Sequence, residues 1–215
     1  MDIDGKPHPH SFVKNGEETR TVQVDATEGV GIDIKTGIRG LTVLKSTNSQ
    51  FWGFLRDEYT TLPETWDRVL STDVAADWQW KRLRNVEDVL SNVPKFDATW
   101  TAARDITLKT FAEDNSASVQ NTMYKMADEI LAYQPLVEMV EYSLPNKHYF
   151  EISMFPFYPV DSWYLDSNFF ADLSWHKDLK NTGENAEVYA PQTNPNGLIK
   201  CTVGRSLSDQ VKGKL

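Results

Sequence analysis

Cysteine is almost missing from this chain. One residue, Cys201, among 215 excludes an internal disulfide and any zinc site built from cysteines alone. Long apolar runs are missing as well, since none approaches the roughly 20 residues that cross a bilayer as a helix. Positive charge is in short supply: 22 Lys and Arg stand against 31 Asp and Glu, a formal net charge of −9. That balance argues against nucleic acid or an anionic membrane as partner, though it leaves room for a local basic pocket. Histidine is scarce too, with four in all. His8 and His10 lie close together in "HPH", yet no third or fourth ligand stands nearby at metal-binding spacing. The opening "MDIDGKPHPH" is too polar for a secretory signal, so the expectation is an intracellular, soluble chain.

The residues that are present suit a globular α+β protein, at 40% apolar and 25% charged. Residues 1–28 read as two short strands joined by the polar turn "KNGEE", with Val22 and Val24 alternating against Gln23 and Asp25. Gly29, Gly31, Gly37 and Gly40 read as a flexible connection to the rest of the chain, and "LTVLKS" as the start of a new strand. "RVLSTDVAADWQWK" is the clearest strand: Leu70, Thr72, Val74, Ala76, Trp78 and Trp80 share one face. Arg68 shares that parity at the strand's beginning.

Asp97 reads as the cap of a first helix, with Trp100, Ala103 and Phe111 at helical spacing. Ser116 or Ser118 caps a second, whose stripe is Val119, Met123, Met126, Ala127, Ile130 and Leu131. Pro135 closes it. "LVEMVEYSL" and "KHYFEI" then read as two strands about a turn at "PN". Strand, strand, helix, helix, strand, strand predicts an antiparallel four-stranded sheet with both helices on one face. Periodicity alone reaches no function. On that footing Cys201 is a packed thiol, His148 an ordinary strand histidine, and the Met and Trp stripes are core.

Four blocks say more: "GLTVLKSTNSQFWGFLRDEYTTLPETWDRVLSTDV", "FAEDNSASVQNTMYKMADEIL", "VEYSLPNKHYFEI" and "DLSWHKDLKNTGENAEVYAPQTNPNGLIKCTVGR". Together they closely resemble the urate oxidase (uricase) family over nearly the whole chain apart from 153–171. The resemblance implies the tunnelling fold (T-fold): units of a sheet plus two helices, two per subunit, assembled into a barrel-like homotetramer. Residues 29–215 would be one complete unit, and 1–28 two remnant strands of another. It also implies oxidation of urate by O2 and water to 5-hydroxyisourate and H2O2, with no metal or organic cofactor.

Carried over residue by residue, Phe51 in "SQFWG" would stack on the purine and Leu62 would line the pocket wall. Arg68 in "WDRVL" would pair with the urate anion through its planar fork. Gln120 in "SVQNT" would grip the opposite ring edge, and the Val119 N–H would also contact urate. Both residues fall in the first turn of the second helix, where free amides favour an anion. Asn146 in "PNKHYF" would hold O2 or water above the ring. His148, two residues on and so on the same side of the strand, would position water and pass protons. The rival reading is a non-catalytic T-fold purine-binding or scaffold protein.

Two departures from the family stand out. The family's upstream segments, which carry a lysine and a Thr-Asp pair completing the proton relay, have no counterpart in this chain. The expectation is that the chain by itself does not turn over urate. The second departure is 153–171, where seven of nineteen residues are aromatic and the strand alternation of "KHYFEI" stops. It reads as a translated intron. The codons of Ser153 and Met154 can supply a GT donor, those of Asp166, Ser167 and Asn168 a branch site, and those of Ala171 and Asp172 an AG acceptor. Removal would restore "FEINLSWHK" in frame. The alternative is a genuine surface loop. The tail "VKGKL" is one residue away from a Ser-Lys-Leu peroxisomal address.

Overall fold

The computed structural model describes residues 1–151, 189–192, 194–195 and 197–205. The stretch 153–171, the "DLSWHK" segment and the tail 213–215 lie outside the described residues.

A long strand pair sets the frame. Strand β6 (Leu70–Trp80) buries Leu70, Thr72, Val74, Ala76, Trp78 and Trp80, the face expected from its alternation. Its 15-residue partner β5 (Gly31–Lys45) pairs antiparallel with it from Lys35 to Lys45. The glycines expected to form a flexible connection therefore lie inside or beside one strand. A bulge between Ile38 and Leu41 accounts for the difference. It adds one residue, so the buried positions switch from even (Ile34, Ile38) to odd (Leu41, Val43), and one strand looks like two pieces. Gly40 supplies the positive φ of 68° that the bulge needs. Gly37 permits close approach, since a Cβ there would meet the Ala76 carbonyl at 2.5 Å.

Four more strands complete the main sheet. The short β3 (Ser11–Val13) and longer β4 (Thr19–Thr27) are the two strands expected in residues 1–28. They pair with opposite ends of β5, Ser11 facing Lys45 and Thr27 facing Gly31. Ahead of them β1 (Asp2–Ile3) and β2 (Lys6–Pro7) form a hairpin whose Asp4–Gly5 turn has φ of 50° and 77°. On the other side of β6 lies β7 (Val137–Lys147), and beyond it β10 (Leu198–Gly204).

The expected turn at "PN" is not there. Strand β7 runs through Pro145 and Asn146, and the Pro145 carbonyl accepts from Thr72 Oγ1 at 2.8 Å. Asn146 N–H donates to the Gly197 carbonyl. "KHYFEI" is therefore not the fourth strand of the four-stranded unit. Its β8 portion (Tyr149–Glu151) pairs with β9 (Tyr189–Pro191) in a separate two-stranded sheet, and β10 takes the fourth place.

Helix α1 (Val86–Glu113) begins well before Asp97, with Asn85 as its cap accepting from Asp88 N–H at 2.8 Å. Asp97 instead pairs with Arg20 from the middle of the helix. The apolar stripe hides this start because Val86, Leu90 and Val93 are exposed, and of the first turns only Val89 packs against the core ahead of Phe96 and Trp100. Helix α2 (Val119–Tyr133) starts at Ser118, whose side chain accepts from Asn121 N–H. Its expected stripe is buried at all six positions. Both helices contribute to one core with the inner sheet face, including Leu108, Phe111, Met123, Met126, Ile130, Trp78 and Tyr142. This is the α+β T-fold arrangement.

Candidate functional site

At the β6 entry, the sheet meets the N-terminus of α2. The 46–69 excursion between β5 and β6 folds back so that Phe51 exchanges two main-chain hydrogen bonds with Thr65, at 2.7 and 2.9 Å. That pairing sets the Arg68 guanidinium 5.3 Å from the Phe51 ring centre, while Phe54 stacks on Phe51 at 4.7 Å. The same excursion is tied to the loop before α2. Gln50 N–H donates to the Ser116 carbonyl and Ser116 N–H to the Asn48 carbonyl, a short parallel bridge. Residues 68 and 119, far apart in sequence, thus share one corner.

Arg68 is half-buried and poorly compensated. Among the described residues its donors reach only Ser49 Oγ and the Gln50 carbonyl, both at 3.4 Å, which is long for a hydrogen bond. Burial lowers its pKa with no carboxylate acting against it. The adjacent carboxylate, Asp67, is occupied by Thr47 Oγ1 and Asn48 N–H. A buried cation without an anion is costly, so this geometry suits an external anion presenting two acceptors to the fork.

The first turn of α2 adds positive potential. Asn121 N–H is taken by Ser118 Oγ and Thr122 N–H by the Ser118 carbonyl. Among the described residues no group accepts from the amides of Val119 and Gln120, which stand at the positive end of the helix dipole. Val119 is buried by its side chain, whereas Gln120 is exposed.

Asn146 and His148 stand at the end of β7, which the register Ser71–Lys147 and Thr72–Asn146 brings to the start of β6, just past Arg68. The Asn146 amide lies 3.2 Å from His148 Nε2. With the amide as donor, a neutral ring carries its proton on Nδ1. The His148 carbonyl accepts from Gln192 N–H at 2.9 Å.

The structure thus gathers Phe51, Arg68, Val119, Gln120, Asn146 and His148 at one end of the sheet. Leu62 stands apart on the outer excursion: its side chain is exposed, and its carbonyl accepts from Arg56. Sequence reasoning missed Ser49 and Ser116, the buried serines that join the two halves, and Lys45. Lys45 is fully buried and donates to the Asp114 and Phe111 carbonyls at 2.7 and 3.2 Å, where the end of α1 offers negative potential. Its position on the apolar parity of "LTVLKS" was the available signal. Elsewhere, His8 and His10 meet edge to face at 4.5 Å, and His10 contacts the Asn48 amide.

The class defined by this fold is an α+β T-fold unit in which an arginine with no carboxylate partner among the described residues stands where a strand entry meets a helix N-terminus. The uricase family model matches residues 34–200, and the chain belongs to that family. It is 68% identical to the uricase of Aspergillus flavus over 215 residues, covering 100% of this chain and 64% of that protein. It is 70% identical to the uricase of Emericella nidulans over 205 residues, 95% of this chain and 62% of that protein. The crystal structure of uricase from Arthrobacter globiformis superposes with a TM-score of 0.66 at 34% identity, over 92% of this chain and 61% of that one. The chain therefore spans somewhat less than two thirds of the length of these relatives.

Proposed function

We propose that this chain is part of a urate oxidase, which oxidises urate with O2 and water to 5-hydroxyisourate and H2O2. One observation carries the reading: the half-buried Arg68 has no carboxylate partner among the described residues, and it shares a corner with the leftover amides of α2. Urate is a flat purine anion. The Arg68 fork would take two acceptors on one edge, while Gln120 and the Val119 amide would take the other and Phe51 would stack on the face. Such a clamp holds the ring at fixed height and angle, which is the main service a protein can give a substrate that itself supplies the electrons.

The chemistry needs protons moved from urate and a place for O2 and water over the ring. Asn146 and His148, hydrogen-bonded to each other, form a polar pair suited to that work, with an imidazole whose two nitrogens can give and take protons. Two electrons leave urate for O2, giving H2O2, and water adds to the oxidised ring. No step calls on a metal or organic cofactor. The partners are urate and O2, with neither nucleic acid nor membrane required.

A homotetramer would cover the exposed apolar groups on the excursion and on β4, among them Trp52, Trp66, Val22 and Val24. The near Ser-Lys-Leu tail supports delivery to peroxisomes, where H2O2 is tolerated. Anaerobic titration with urate tests the clamp, and admission of O2 with detection of H2O2 tests the reaction. The expected result is saturable urate binding by this chain, with H2O2 formed once it is joined to the family's upstream relay segments. Binding without H2O2 even in the joined protein would support the purine-binding reading, and no binding would remove the proposal.

A further inference from the structure

The two halves of the clamp lie on different segments: Arg68 on the excursion and Val119 with Gln120 on α2. Among the described residues, the backbone hydrogen bonds between these segments are those of Ser116 with Asn48 and Gln50. A flat, rigid ligand gripped by opposite edges tolerates little error in the separation of its two grips. Whatever fixes Ser116 therefore fixes that separation.

Ser116 is held from beneath by a buried chain of side chains. Its Oγ stands 2.6 Å from Thr122 Oγ1 and 2.8 Å from the Ser118 carbonyl, two acceptors for its single proton. Thr122 Oγ1 lies 2.7 Å from one Asp114 carboxylate oxygen, and because a carboxylate only accepts, Thr122 donates to it. The other Asp114 oxygen accepts from Lys125 Nζ at 2.5 Å. The Asp114 carbonyl accepts from the buried Lys45 at 2.7 Å, anchoring the same residue to the end of β5. Hydroxyl donors aligned toward a carboxylate strengthen one another. Among the described residues, no hydrogen bond joins these side chains to Arg68.

We propose that Thr122, acting through Ser116 and anchored by Asp114, is a positioning residue that sets the spacing between the Arg68 guanidinium and the first turn of α2. The proposal rests on the urate reading. Removing the Thr122 hydroxyl leaves Asp114 one donor short and frees Ser116 to turn toward Ser118. The Asn48–Gln50 segment then shifts relative to α2, and Arg68 shifts with it through Ser49 and Gln50.

The test compares Thr122→Val, which keeps the shape and loses the hydroxyl, with Thr122→Ser, which keeps the hydroxyl. Ser116→Ala is a second break in case Thr122→Val does not fold. Each full chain is titrated anaerobically with urate well below its melting temperature, and the Arg68 Nε–Hε resonance is tracked by NMR without ligand. Thr122→Val and Ser116→Ala should weaken urate binding roughly tenfold, the scale of one or two misplaced hydrogen bonds. Both should move the Arg68 resonance, and Thr122→Ser should return both readouts toward the parent. A broken variant that melts earlier, yet keeps the parent's urate affinity and Arg68 resonance, overturns the proposal and leaves the chain of hydroxyls a role in stability alone. Arg68→Ala separates the two readings. If it binds urate like the parent, the clamp itself is wrong, and the Arg68 resonance in the Thr122 variants alone decides whether the two segments are coupled.

Discussion

The outer face of the sheet and the corner at the start of β6 treat positive charge in opposite ways. On the outer face, Arg39 makes two hydrogen bonds to Asp77, Lys35 leans on Asp77 and Glu141, and Lys147 pairs with Asp73. Those cations are matched by cross-strand carboxylates in partial contact with water, an arrangement that adds modest stability. At the corner, burial lowers the pKa of Arg68, and among the described residues its hydrogen bonds are two long contacts to neutral oxygens. The difference lies in compensation rather than in the number of charges. A chain with net charge −9 has carboxylates to spare, and the one next to Arg68 in sequence, Asp67, is taken by Thr47 and Asn48 instead. Withholding a partner from a half-buried guanidinium costs stability, which is the physical ground for the anion site proposed above.

The largest expected break is Arg68→Ala, which should weaken urate by roughly 30-fold or more, because the ligand anion loses its only strong charge-assisted partner at that edge. Anaerobic calorimetric titration gives the ratio, and a change under about threefold would contradict the comparison. Gln120→Ala comes next, at roughly tenfold for two neutral hydrogen bonds, read in the same assay. Because Gln120 is exposed, its fold stability should not change.

Val119→Pro sharpens the test of the helix end. Proline is tolerated at the first helical position, and Ser118 before it is already extended at φ −163° and ψ 152°. The substitution deletes one leftover N–H, so urate should weaken about fivefold while far-ultraviolet circular dichroism keeps the helix signal. Loss of the helix would show that the amide was not spare.

Lys45 supplies the pH test, as a second withdrawn cation at this end that is compensated by carbonyls. Burial lowers its pKa, opposed by Asp114 and Asp67. The folded chain therefore gives up the Lys45 proton at lower pH than the unfolded chain, and the unfolded state binds more protons between the two pKa values. Stability from this group should rise with pH from its lowered folded value toward the ordinary 10.5. Urea melts across the alkaline range should show that rise in the parent and lack it in Lys45→Met. The smallest effect belongs to the outer face: Arg39→Ala should leave urate affinity unchanged and alter stability by no more than about 1 kcal/mol.

Much of the frame is legible in the sequence. Strand β6 and helix α2 each bury one face, so burial imposes a period of two on one and 3.6 on the other, and both stripes match the structure residue by residue. Strand β5 is obscured because a single bulge reverses its parity, and α1 because its first turns expose apolar residues. Strand β10 could not be placed as the fourth strand because its partner β7 is remote in sequence, and pairing leaves no mark in local periodicity.

The candidate site divides along the same line. The residue types of the clamp, a planar fork, an amide, an aromatic ring and an imidazole, stand in the sequence as short motifs, and their likeness to a family named them. Nothing in the sequence shows that Asp67 turns away from Arg68, or that Ser116 bridges to Ser49. Composition, one-sided periodicity and motif chemistry are properties of the chain itself, and these the sequence determined alone. Which cation goes unpaired, and which distant segments share a corner, depend on distances across the fold. Those were decided only when the sheet register and the seat of α2 were set by tertiary packing.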